Sequence, residues 1–105
     1  MPADGLRDVE RELQRVVDRL ASLSLAKVRG CSDDVLEAAA FILGEDRRLG
    51  ADIPHGSTLP QLGPHGVGAL LAVVGRDYLQ TAKAAPGADI RPVLDRLVAL
   101  RRSLP

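Results

Sequence analysis

From Val67 to Val74 the chain carries an apolar side chain at every position except Gly68. A helix lying on a surface would show a polar face within such a span, whereas a stretch that is apolar all round is buried on most sides. The run is too short to cross a bilayer, which takes ~20 apolar residues, and Arg76 and Asp77 close it off. A buried strand would carry the same pattern over so few residues. The continuation decides for a helix: Val67, Leu70, Leu71, Val74 and Tyr78 fall on one helical stripe, and Leu79 to Lys83 extend it. The sequence therefore predicts a helix over about 64–84, with Pro64 in the first turn, where its missing N–H is not needed. Gly68, Ala69 and Ala72 are small enough to admit a neighbouring helix. Gly75 costs about 1 kcal/mol against alanine inside a helix, which points to a packing reason for it.

A buried helix needs neighbours to cover it, and the rest of the chain supplies three. Leu6, Val9, Leu13, Val16, Leu20 and Leu23 are spaced alternately three and four apart, a bundle seam widened by Val17. They predict a helix over about 4–26. Its outer face alternates in sign, so the row Arg7, Arg11, Arg15, Arg19 reads as a solvated face neutralised by Asp8, Glu12 and Asp18, and not as a phosphate-binding stripe. A connection over 27–30 follows. Ser32 then reads as the cap of a second helix over about 33–49, with Asp33 and Asp34 at its positive end and Arg47, Arg48 and Gly50 at its stop. After the central helix, Pro86 and Gly87 mark a turn and Asp89 caps a fourth helix over about 89–104. Its seam is Ile90, Val93, Leu97, Leu100 and Leu104, and Pro92 sits in its first turn. The fold class predicted is all-α: a single domain, residues 1–105, forming an antiparallel four-helix bundle with one long connection, about residues 50–63, between helices two and three.

Composition narrows the function. Lys+Arg and Asp+Glu balance at 14 each, so no global field favours nucleic acid or an anionic membrane. Phe41 and Tyr78 are the only aromatic residues, which removes the stacking platforms of single-strand binders. The one cysteine, Cys31, has no internal disulfide partner, and the N-terminus has no apolar signal region, so a cytoplasmic location is expected. Cys31 stands just before the start read for the second helix. A thiol pKa is lowered at such a place, but Asp33 and Asp34 oppose a thiolate.

Chemistry has few places to sit. The two histidines occur in matching tripeptides, Pro54-His55-Gly56 and Pro64-His65-Gly66, ten residues apart. As metal ligands, His55 and His65 would need Asp52 or Cys31 to join them, and their spacing is not that of zinc sites. As an anion site, His65 would add a donor to the N–H groups near Gly63, Gly66 and Gly68 at the start of the central helix. The plainer reading is two turns punctuated by proline and glycine. No catalytic constellation, cofactor motif or helix-turn-helix is present. Asp77 is the one acid adjacent to the central apolar run. The expectation is a non-enzymatic helical bundle working by protein–protein contact, self-associating through surplus apolar surface on helices two and three. No cofactor, nucleic acid or membrane is expected to take part. The alternative is a small-ligand, anion or metal-binding protein using His55, His65, Gly66 and Gly68.

Overall fold

Among the described residues, the seams found in the sequence become the buried faces of four helices. The computed structural model describes residues 2–50, 66–85 and 87–105. Their order is α1 (Pro2–Ser22), α2 (Leu25–Arg48), α3 (Val67–Lys83) and α4 (Arg91–Ser103), with no strand among the described residues. On α1, Val9, Leu13, Val16 and Leu20 are buried, and on α4, Val93, Leu97 and Leu100. They meet Val35, Ala38, Ala39 and Ile42 of α2 and Val67, Leu71, Val74 and Tyr78 of α3 in one core.

The first break in the chain lies earlier than the sequence reading places it. α1 ends at Ser22, whose hydroxyl donates to the Arg19 carbonyl at 2.7 Å. Ser24 is extended (φ −64°, ψ 157°), and its Oγ accepts the Lys27 N–H at 3.3 Å, so Ser24 is the cap of α2. Residues 27–30, expected as a connection, are helical, and Ser32, expected as the cap, is interior and donates to the Arg29 carbonyl. Burial explains the choice. Starting α2 at Leu25 puts Val28 and Cys31 on the same buried stripe as Val35, Ala38 and Ile42. A break at Gly30 would have taken Val28 off that stripe.

The other ends agree more closely with the sequence. α2 stops where Gly50 takes a positive φ of 102° and donates its N–H to the Arg47 carbonyl at 3.0 Å. α4 begins at Arg91 with Ile90, not Asp89, in the cap position; Asp89 Oδ1 accepts the Arg91 N–H at 3.1 Å, and Pro92 lies in the first turn. α3 begins at Val67 after Gly66. Pro64, also read into this helix, lies outside the described residues, as does most of the long connection.

Contacts between helices give the direction of each. Leu20 of α1 lies beside Gly68 and Leu13 beside Gly75, so α1 and α3 run in opposite directions. Phe41 of α2 packs under Arg96 of α4, while Asp34 and Glu37 lie near Ala99 and Ser103, so these two are also antiparallel. Gly5 approaches Ile90 and Glu12 pairs with Arg101, so α1 and α4 run the same way. Leu25 and Val28 share a cleft with Gly68 and Ala69, and the other end of α2 faces Tyr78, so α2 and α3 are parallel as well. Each helix packs mainly on two others: α3 and α4 each contact both α1 and α2.

This topology accounts for the length of the second connection. A parallel neighbour can be reached only by returning along the bundle, as in bundles with crossover connections. α3 spans about 26 Å, and the fifteen residues between Gly50 and Gly66 reach about 50 Å when extended.

Candidate functional site

Because α2 and α3 are parallel, their first turns meet at one end of the bundle, against the last turns of α1. There an open cleft of about 510 Å³ is lined by Val17, Leu20, Ala21 and Leu23 of α1 and the chain after it, Leu25 and Val28 of α2, and Gly68 and Ala69 of α3. None of these eight side chains carries a charge. Among the described residues the exposed large apolar side chains are Leu25, 42% exposed, and Val73, 56% exposed. Leu25 forms the rim of the cleft. Val73 stands one helical turn beyond Ala69 on the same stripe of α3. Among the described residues of α2 and α3, the exposed apolar surface is thus confined to few large side chains. It is smaller than the sequences of α2 and α3 suggest, because α3 is covered from two sides, by α1 and α2.

Three other clefts are lined with charge. One holds Asp8, Arg11, Glu12, Arg15, Arg91 and Asp95. Another holds Arg15, Asp18, Arg19 and Arg101, and the last Asp34, Glu37 and Arg96. Of the arginine row read along α1, Arg11, Arg15 and Arg19 have partners. Arg11 lies 4.0 Å from Asp8, Arg15 lies 3.5 Å from Glu12, and Arg101 reaches across from α4 to Glu12 at 2.6 Å. Arg19 donates from Nε and Nη2 to the Pro105 carbonyl. Asp18 accepts from Gln14 at 2.8 Å and makes no contact of ion-pair length with Arg15. Three of the four arginines in the row are thus engaged.

The candidate ligands fare unevenly. Gly66 caps α3 and Gly68 lines the apolar cleft. His55, His65 and Asp52 lie outside the described residues. Cys31 is not beside a helix start but within α2, buried, with its thiol donating to the Val28 carbonyl at 3.5 Å. Burial, and then the Asp34 carboxylate, push that thiol above its usual range, so it is an inert core residue. Among the described residues no group of three His, Cys, Asp or Glu side chains is placed to hold a metal ion, and no helix is long and apolar enough to cross a membrane.

A second polar feature lies at the opposite end, where α2 and α3 finish. Asp77, the acid noted beside the apolar run, is exposed. The buried acid is Asp46, only 3% exposed, and its Oδ1 has no hydrogen-bond partner. Tyr78 is 1% exposed and its hydroxyl is likewise unpartnered. Burial raises the Tyr78 pKa to about 12, reinforced by the Glu45, Asp89 and Asp46 carboxylates and opposed by Arg48. Arg48 itself is held by Glu45 at 2.6 Å. The signal for Asp46 was present in the sequence: it continues the stripe Val35, Ala38, Ala39, Ile42 at three-to-four spacing.

No protein-family model matches the chain, and no curated protein or solved structure matches it.

Proposed function

We propose that this bundle works by protein–protein contact without chemistry of its own, and that the cleft at the shared start of α2 and α3 is where a second copy of the chain binds. The observation that supports this reading is that none of the described residues lining that cleft is charged, while Leu25 on its rim is exposed. In a two-fold interface the same patch meets itself, so a charged side chain near the axis would face its own copy at a cost. Of the four clefts described above, this one meets that condition among the described residues. The chain's zero net charge leaves no overall repulsion between copies.

Sedimentation equilibrium at high micromolar concentration tests the proposal. The intact protein is expected to approach the dimer mass, and Leu25→Asp to stay monomeric with its helical circular dichroism unchanged. A wild-type protein that remains a monomer at the highest concentration would reject self-association.

A small-ligand reading has one observation in its favour. Gly68 and Ala69, in the first turn of α3, belong to the same apolar cleft, so a ligand there would meet the positive end of a helix. Native mass spectrometry separates the two readings: a stoichiometric adduct on a monomer supports the ligand, and a bare dimer supports the second copy.

A further inference from the structure

We draw no further inference here: the strongest candidate, the buried Asp46 carboxylate, whose Oδ1 has no partner, and the unpartnered Tyr78 hydroxyl among Glu45, Arg48 and Asp89 at the far end of α2 and α3, lines none of the clefts described above, so no class of ligand follows from it.

Discussion

At Gly75 a single missing carbon sets the distance between two helices. A Cβ built there would lie 2.6 and 2.7 Å from the two methyls of Leu13, itself 5% exposed, so that Leu13 would have to shift within the core. Overpacking of that kind costs about 1–3 kcal/mol and outweighs the gain of about 1 kcal/mol from better helix propensity. Gly75→Ala is therefore expected to lower stability by about 1 kcal/mol in urea unfolding. The same change at Gly44, which has nothing within 4 Å, should raise it by about 1 kcal/mol. A stabilising Gly75→Ala would mean that α1 and α3 do not approach as described. Tyr78 gives a second test. Its folded pKa of about 12 lies above the ordinary value of about 10. Below pH ~10 both states hold the proton and the shift has no effect on the pH dependence. Between pH ~10 and ~12 only the folded state keeps it, so stability falls as pH rises. Because Tyr78 is the only tyrosine, an absorbance titration reads it alone. A midpoint near 10 in the folded protein would contradict its burial. Tyr78→Phe should abolish this alkaline slope. It should also gain about 1 kcal/mol near neutrality, since it removes a buried hydroxyl that has no partner.

The helices themselves were largely legible in the sequence, because three-four spacing fixes which side faces inward. The α1 seam from Val9 to Leu20 and the α4 seam from Val93 to Leu100 are the buried faces. The start of α2 was not legible from caps alone. Ser24 and Ser32 are both good caps, and Ser32 is followed by two acids that suit a helix start. What separates them is the buried stripe, which needs Val28 and Cys31 inside α2. The two serines should therefore respond differently. Ser24→Ala removes the bond to Lys27 N–H and should cost about 1 kcal/mol. Ser32→Ala, inside the helix, should be neutral or slightly stabilising. Equal losses at both positions would restore the later break. Between elements, the Glu12–Arg101 pair joins α1 to α4, with Glu12 88% shielded by its surroundings (side chain 12% exposed). A double-mutant cycle with Glu12→Gln and Arg101→Met should return a coupling of about 1 kcal/mol that weakens with added salt. No coupling would make it an ordinary surface pair.

For the molecule as a whole, the helices among the described residues and their apolar faces could be read from the chain, but the antiparallel arrangement expected from it does not hold for α1 with α4 or for α2 with α3. Spacing of apolar residues carries no information on which neighbour a helix chooses. That information lies in contacts such as Leu13 with Gly75 and Gly5 with Ile90. The parallel setting of α2 and α3 has the larger consequence. It brings both first turns to one end and leaves there a cleft with no charged side chain among its described residues, of which the sequence reading places only Gly68 in a binding site. If that face is a two-fold interface, residues on its rim come close to their own copies. The most direct measurement is thiol cross-linking of a Leu25→Cys, Cys31→Ala variant, with Arg102→Cys in the same background as the control. The account predicts covalent dimer from the cysteine at position 25 and none from the exposed position at the end of α4. Dimer forming equally at both positions, or at neither, would contradict it.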